Sequence, residues 1–292
     1  MSGLWYHFPH AVVCRASGKD ARRYLNNRLS NDLRTLSHPE STIAAALTAQ
    51  GKVQGLYTVF VTKDDAFLLV CDGGARQALF AALGKFIVAD RVSLEDLSSS
   101  WILIHTLARE DQVDALVREF EPGSVFIRRC QRLAGGGCDI LISTKCPEES
   151  LRVIETRLGS PLSTEEYRFQ RISRGRPSFP EEIHEGVILT ECGMRDAVSF
   201  AKGCYVGQEV IERSDAIGKL PRTLERVAFS GVQIPEGASI VNAHGESIGK
   251  VVSVALDDKN STACAFAMLR TGVYSVGDSI QCEGVQGRVQ GL

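Results

Sequence analysis

The chain has little of what marks a membrane protein or a strongly charged one. It carries 33 Lys and Arg residues against 35 Asp and Glu residues, so its formal net charge is -2 over 292 residues. That balance gives no electrostatic reason to expect DNA or an anionic membrane as the main partner. No apolar run approaches the roughly 20 residues that a membrane-spanning helix needs. We therefore predict no DNA partner and no membrane partner.

Paired cysteine motifs are also missing. The 9 cysteines are scattered, none forms Cys-x-x-Cys, and none has a histidine at zinc-finger spacing. The first residues lack the basic leader and apolar segment of a signal peptide. These absences predict reduced thiols and a cytoplasmic location. Residues 180–185 contain glutamates and a histidine that would suit a metal, but a solvated acidic loop has the same composition, and we predict no metal site.

The order of the patterns predicts the fold. A strand–helix–hairpin–helix succession occurs over residues 12–86 and again over residues 101–158. From Leu224 onward, short β-rich runs alternate with glycines, which is typical of a small barrel. We predict an α+β protein with two antiparallel-sheet lobes backed by helices and a small C-terminal β-barrel. The predicted domains are 1–100, 101–218 and 219–292.

Local signals place several of the elements. Residues 21–29 carry apolar side chains at helical spacing, and residues 62–65 separate two β-rich runs as a hairpin turn does. Residues 147–158 are predicted to form a helix that begins at a proline. Ser163 and Glu166 have the capping-box spacing, which predicts a helix through Ile172.

One stretch, Lys202–Glu209, concentrates the features of a site. Gly203 and Gly207 bracket Cys204, and glycines allow unusual backbone angles and close approach. A helix is predicted from Gln208, with Glu209 at its positive end. Cys204 would then lie just before a helix start and near Lys202, and both features lower a thiol pKa. The alternative is a structural turn with a buried, inert cysteine, in which Gln208 and Glu209 only cap the helix.

The octapeptide Lys-Gly-Cys-Tyr-Val-Gly-Gln-Glu resembles the signature of the YgfZ/IBA57 family, folate-binding proteins of iron–sulfur cluster maintenance. Tyr205 and every other fixed position of that pattern are present. The family is related to the glycine cleavage T-protein, an aminomethyltransferase. Arg171, Arg174, Gly175 and Pro177 are similar to the family's Arg-x-x-x-Gly-x-Pro segment, which lines the folate side. The resemblance implies that the lobes surround a central channel in which tetrahydrofolate lies.

The resemblance also implies roles for single residues. Arg171, Arg174 and Arg222 are candidates for binding the glutamate tail or the pterin of the folate, since a carboxylate favours a cationic partner. Lys202 is a candidate for holding that tail or for activating Cys204, the expected functional thiol. For each cation the alternative is a solvated surface side chain.

Two departures from the wider superfamily bear on the reaction. Gly55 and Leu56 stand where aminomethyltransferases carry an acidic pair, and Ser173 stands where their pterin-binding helix carries a glutamate. Without a carboxylate at the reacting nitrogen, acid–base transfer loses its usual agent. We predict a tetrahydrofolate-binding accessory protein whose partners are iron–sulfur client or assembly proteins. The alternatives are a folate-dependent aminomethyl- or methyltransferase and a scaffold with a structural cysteine, so enzymatic activity stays open.

Overall fold

The structure, a computed structural model, describes residues 4–71, 76–133, 136–218, 220–230, 234–257 and 262–292. The chain forms two compact units. The first unit is Met1–Leu162 with Asp196–Gln208, and the second is Ser163–Arg195 with Glu209–Leu292. The division into three domains that the sequence suggests stays a prediction.

The elements of the first unit follow one another as two strand-and-helix groups. In chain order they are β1 (Trp5–His7), β2 (Val12–Ser17), α1 (Ala21–Arg28), β3 (Ser41–Leu47), β4 (Val53–Val61), β5 (Phe67–Cys71), α2 (Arg76–Gly84), β6 (Ser93–Asp96), β7 (Trp101–Thr106), α3 (Glu110–Val117), β8 (Val125–Leu133), β9 (Gly136–Ser143) and α4 (Pro147–Leu158).

The first sheet has five strands in the order β3-β4-β5-β2-β6, and each neighbouring pair is antiparallel. The turn between β4 and β5 closes with a hydrogen bond from the amide of Thr62 to the carbonyl of Ala66, 2.9 Å, which confirms the predicted hairpin. Strand β5 is buried along its whole length. A continuous apolar run such as Phe-Leu-Leu-Val-Cys is typical of a strand covered on both faces.

The second sheet has four strands in the order β1-β7-β9-β8. Its apolar core is formed with α3 and α4 by buried side chains that alternate along the strands, namely Trp5, Ile102, Ile104, Val113, Leu116, Cys138, Ile140, Ile142, Ile154 and Leu158. Strand β1 belongs to this sheet, because it pairs with β7 about a hundred residues further along the chain.

The second unit is built on a closed six-stranded barrel. Helices α5 (Thr164–Ser173) and α6 (Gln208–Ile217, whose first residue belongs to the first unit) precede the strands β10 (Arg222–Ser230), β11 (Ser239–Val241), β12 (Ser247–Asp257), β13 (Thr262–Arg270), β14 (Ser279–Cys282) and β15 (Val285–Val289). The barrel order is β10-β13-β12-β11-β14-β15. Closure pairs every strand edge, which removes the free hydrogen-bonding groups that an open sheet exposes.

The predicted fold class is confirmed: antiparallel sheets with helices, followed by a C-terminal barrel. The capping box of α5 is also present, since Ser163 accepts from the amide of Glu166 at 3.1 Å and Glu166 accepts from the amide of Ser163 at 2.9 Å. Strands β1, β3 and β6 were not predicted. Strand β3 is rich in alanine, which has low β propensity, and forms through its pairing with β4. No helix in the described part of the chain is both long and apolar enough to cross a membrane.

Candidate functional site

The signature loop, residues 202–208, is fixed to the first unit by its lysine. The Nζ atom of Lys202 donates to three backbone carbonyls, those of Asn26 at 2.5 Å, Leu29 at 2.8 Å and Asn31 at 2.7 Å. These carbonyls lie at and just beyond the C-terminal end of α1, where a helix leaves backbone acceptors without internal partners. An ammonium group has three N–H donors, so this arrangement uses all of them.

The Lys202 side chain is buried, and its residue is only 6% exposed. Burial lowers the pKa of Lys202 to about 8, an effect that Asp32 partly opposes. The ring of Tyr205 lies 5.2 Å from the Nζ atom and covers the ammonium on one side. The sequence suggested that Lys202 holds a folate tail or activates Cys204. The structure commits its three donors to backbone carbonyls at and just beyond the end of α1. The burial of Lys202 contradicts the alternative of a solvated surface lysine, while its suggested roles toward the folate and Cys204 stay predictions.

Gly207 is the second attachment of the loop. Its φ is +83°, and a Cβ atom there would lie 2.5 Å from the carbonyl oxygen of Thr48 and 3.1 Å from the Cβ of Leu47. Only glycine combines that backbone angle with so close an approach to the β3–β4 turn. Gly203 has open space around it and no positive φ, so the close packing predicted for both glycines holds at Gly207 alone.

Residues 196–199, just before the signature loop, are held by hydrogen bonds to Ser30 and Asn31, which follow α1. The hydroxyl of Ser30 donates to the carbonyl of Ala197 at 2.6 Å, and the amide of Ser199 donates to the carbonyl of Ser30 at 3.0 Å. The amide group of Asn31 donates to the carbonyl of Asp196 at 3.0 Å. Sequence reasoning did not assign Ser30 or Asn31 to the site. The adjacent Asn31 and Asp32, which follow the predicted helix 21–29, were the available signal.

Cys204 lies in this fixed loop with an exposed side chain. Of the other cysteines whose side chains are described, Cys146 is exposed and Cys264 is partly exposed, while five are buried. Burial raises the pKa of Cys14 and of Cys192 to about 12, so those thiols are inert near neutral pH. The exposure of Cys204 contradicts the alternative of a buried cysteine at this position.

The remaining signature residues stabilise the loop and the helix start. Tyr205 is buried, and its amide donates to the side-chain oxygen of Gln208 at 3.3 Å. Gln208 is the first residue of α6, as predicted, and Glu209 lies in the first turn with an exposed side chain. The capping interpretation of Gln208 thus has a direct contact to support it.

Arg171, on α5, is part of a buried ion pair. Its residue is 3% exposed, and its guanidinium donates to both oxygens of Glu182, at 2.7 and 3.0 Å. Glu181 accepts from the same guanidinium. Glu182 is fully buried and also accepts from the amide of Ser178 at 2.8 Å and from the hydroxyl of Ser253 on β12. Burial opposes the charge of Arg171, but Glu182 and Glu181 together with Tyr167 outweigh it, so the pKa of Arg171 is raised.

Arg222 has a comparable partner. Its Nε and one terminal nitrogen each donate to Glu191 at 3.1 Å, and the carbonyl of Gly186 accepts at 2.9 Å. Glu191 is buried, so the pair is anchored on the carboxylate side. Arg174 lies at the C-terminal end of α5 with a half-buried side chain. The structure therefore surrounds Arg171 and Arg222 with carboxylates of the second unit, which is not the environment of a free cation for a folate tail.

At the position of the missing acidic pair, the hydroxyl of Tyr57 occupies the space into which a side chain at position 55 would extend. A Cβ atom on Gly55 would lie 2.0 Å from the hydroxyl oxygen of Tyr57. Tyr57 is 1% exposed, and its hydroxyl has no hydrogen-bond partner in the described part of the chain. Leu56 points to the opposite face of β4 and is half-buried. Tyr57 was not singled out from the sequence, because nothing local shows that its side chain fills the space beside Gly55.

The candidate site residues can be compared with what tetrahydrofolate and a metal ion each require. A folate tail needs free cations and the pterin needs an acidic partner, whereas two of the three candidate arginines are paired and Gly55, Leu56 and Ser173 carry no carboxylate. These particular residues do not fit the roles that the resemblance implies. Among the described residues, no group of three or more His, Cys, Asp or Glu side chains is placed to hold a metal ion.

A cavity of about 830 Å³ lies in the first unit, within the size range of small-ligand sites. It is lined by aromatic residues from both lobes, including His38, Trp101 and Phe126, and by the basic residues Arg15 and Lys63. It contains none of the residues that the sequence predicted for the site.

Comparisons with known proteins identify the fold of the chain and its relatives in sequence. No family model matches the chain. The crystal structure of the glycine cleavage system aminomethyltransferase T from Bartonella henselae superimposes with a TM-score of 0.86 at 17% identity. The alignment covers 100% of this chain and 86% of the other. The fold is therefore that of the aminomethyltransferases.

The sequence relatives are more specific. The chain is 28% identical to the human mitochondrial iron–sulfur cluster assembly factor IBA57, over 82% of this chain and 71% of that protein. It is 23% identical to the tRNA-modifying protein YgfZ of Vibrio atlanticus, over 72% of this chain and 65% of that protein. The chain is a homologue of the YgfZ and IBA57 proteins, as the signature indicated. It spans about two thirds of the length of these relatives.

Proposed function

We propose that this protein is an accessory factor for the assembly or repair of iron–sulfur clusters in client enzymes, that it binds a reduced folate, and that Cys204 is its functional thiol. The observation that carries the proposal is the geometry of the signature loop. Lys202 and Gly207 fix the loop at both sides of Cys204, and the thiol between them stays exposed. A rigid support with an exposed side chain is the arrangement of a functional residue.

The name of the human relative supports an iron–sulfur role, whereas the name of the Vibrio relative indicates tRNA modification. One is an iron–sulfur cluster assembly factor and another is a tRNA-modifying protein. A cytoplasmic location is part of the proposal; the human relative is named as mitochondrial, so location has to be measured in the cells that make the protein.

Folate binding is supported by the fold and by the signature. It is not supported by Arg171 or Arg222, whose donors go to Glu182 and Glu191. Arg174 stays a predicted folate contact, and no chemical step through the folate is assigned to this chain.

The second candidate function is a folate-dependent aminomethyl- or methyltransferase, which the fold alone favours. The described first lobe speaks against it, because the Tyr57 hydroxyl occupies the space into which a side chain at position 55 would extend. Turnover of a lipoyl-carrier substrate with tetrahydrofolate, well above a no-enzyme control, would make this candidate the correct one.

The decisive experiment is complementation of cells that lack the gene, with wild type, Cys204→Ser and Cys146→Ser. Cys146 is the matched control, because it is also exposed but lies outside the signature. We expect Cys204→Ser to lower the activities of iron–sulfur enzymes and leave cluster-free enzymes normal, while Cys146→Ser restores both. Full restoration by Cys204→Ser under oxidative stress would remove the thiol from the proposal.

Folate binding is tested separately by calorimetric titration of the folded protein with tetrahydrofolate. We expect a micromolar dissociation constant, about -8 kcal/mol on the standard scale. An unrelated anion of equal charge is the control. A well-folded protein that gives no saturable heat with tetrahydrofolate has no folate site.

A further inference from the structure

Arg28, the last residue of α1, is a buried cation without a carboxylate. Its residue is 9% exposed, and its Nε atom is shielded from water and has no hydrogen-bond partner among the described residues. One terminal nitrogen donates to the carbonyl of Ala82 at 3.4 Å, which is a long contact. Burial lowers the pKa of Arg28, an effect that Tyr24 partly opposes.

The end of α1 does not account for this charge. A helix C-terminus carries about half an elementary charge, and it falls off within the last turn. The neighbouring carbonyls at that end already accept from the ammonium of Lys202. Buried guanidinium groups are ordinarily matched by a carboxylate, as Arg171 is by Glu182 in the second unit. Among the described residues, Arg28 has no such carboxylate partner.

Phe86 determines how an anion would reach the group. The guanidinium carbon of Arg28 lies 3.8 Å from the centre of the Phe86 ring, so the ring covers one face of the planar group. Stacking occupies one face of the guanidinium and leaves its edge, beyond the shielded Nε–H and the contact to Ala82, for a ligand. Phe86 itself is 45% exposed and lies in the turn that follows α2.

A second cation borders the same ring. The ammonium of Lys85 lies 5.7 Å from the ring centre, and the side chain is exposed. In the part of the chain that the structure describes, neither Lys85 nor Arg28 has an ion-pair partner, whereas Arg23 on the same helix pairs with both Asp20 and Asp90. Among the described residues, no carboxylate therefore compensates the positive charge at this place.

We propose that Arg28, covered by Phe86 and bordered by Lys85, is the anion-binding group of a second ligand site, which takes the carboxylate or phosphate of a small molecule. The planar fork of N–H donors matches both of these oxyanions, and a shielded position strengthens each contact.

The experiment uses the full chain with inorganic phosphate, succinate and chloride at matched ionic strength. The readouts are the ¹⁵N–¹H resonance of the Arg28 Nε–H group and the thermal midpoint of unfolding. We expect phosphate or succinate, but not chloride, to move the Arg28 resonance saturably in the millimolar range that one charge-assisted contact gives. The stronger of the two probes assigns the site to a phosphate or to a carboxylate.

Variants separate a site from general salt effects. Arg28→Met should abolish the anion-dependent rise in the thermal midpoint, and Arg28→Lys should weaken the probe's affinity about tenfold because an ammonium lacks the fork. Arg23→Met, a paired arginine of the same helix, should respond as the wild type does. An Arg28 resonance that no probe moves overturns the proposal even where a variant fails to fold, and so does an equal anion response in Arg28→Met.

Discussion

Two cations that the sequence marked as ligand-binding candidates, Lys202 in the first unit and Arg171 in the second, are both buried. They differ in the groups that bind them. Lys202 is held by three neutral backbone carbonyls at the end of α1, and Arg171 is held by the carboxylate of Glu182. In both cases the cation fixes the chain segment around it. A basic residue within a motif can thus be the group that holds the motif in place.

The largest expected effect comes from breaking the buried ion pair. Arg171→Met leaves the fully buried Glu182 without its counter-ion, and loss of one partner of a buried pair costs about 3–5 kcal/mol. Arg157→Met is the matched control, because Arg157 and Glu119 form a partly exposed pair that contributes about 0–1 kcal/mol. Urea unfolding of both variants gives the comparison. Equal costs for the two variants would contradict the structural role of Arg171.

Lys202→Met tests the other cation. Removing its hydrogen bonds leaves carbonyls of the α1 end without partners, and we expect a loss of about 2–3 kcal/mol. Limited proteolysis should then cut within residues 196–208, which the wild type protects. Gly203→Ala, in open space of the same loop, should leave both measurements unchanged. A stable, protease-resistant Lys202→Met protein would show that the loop has other sufficient attachments.

The contribution of Lys202 to the free energy of unfolding should depend on pH. The pKa of Lys202 is about 8 in the folded protein, below its ordinary value, so the unfolded chain binds the proton more tightly. The contribution of Lys202 to stability is therefore smallest below pH 8 and rises as the pH increases above that value. Between pH 7.5 and 9.5 the stability gap between wild type and Lys202→Met should grow by about 2 kcal/mol. A gap that shrinks over this range contradicts the lowered pKa.

A smaller effect is expected beside β4. Gly55→Asp has to displace the Tyr57 hydroxyl, and overpacking of this kind costs about 1–3 kcal/mol. Tyr57→Phe removes a buried hydroxyl without a described partner, and should be neutral or stabilising by about 1 kcal/mol. Thermal unfolding measures both. If Tyr57→Phe is strongly destabilising, its hydroxyl has a role that the described contacts do not show.

Thiol labelling gives the smallest perturbation, because it changes no residue. Brief iodoacetamide treatment mapped by mass spectrometry should label Cys204 more than tenfold faster than Cys14 and Cys192, whose pKa values of about 12 follow from burial. Cys146, exposed but outside the signature, is the internal comparison for accessibility alone. Labelling of Cys204 no faster than that of Cys14 would end its assignment as a reactive thiol.

Local patterns were sufficient for most of the elements that carry the site. The helix that begins at Gln208, the capping box at Ser163 and the hairpin turn at residues 62–65 are each specified by residues within a few positions of one another. The signature octapeptide was enough to indicate the relatives and, through them, the fold. These features are encoded locally because caps, turns and short motifs depend on neighbouring backbone groups.

The tertiary structure decided what the sequence left open. Lys202 meets its carbonyls at residues 26–31, more than 170 positions earlier in the chain, and Ser253 reaches Glu182 from a different strand. Tyr57 lies two residues from Gly55, but only the pleat of β4 turns its hydroxyl into the space of the missing acid. Burial and long-range hydrogen bonds arise only when distant segments pack, so the letters identified the signature, while packing determined that Lys202 and Arg171 hold the structure and that Cys204 stays exposed.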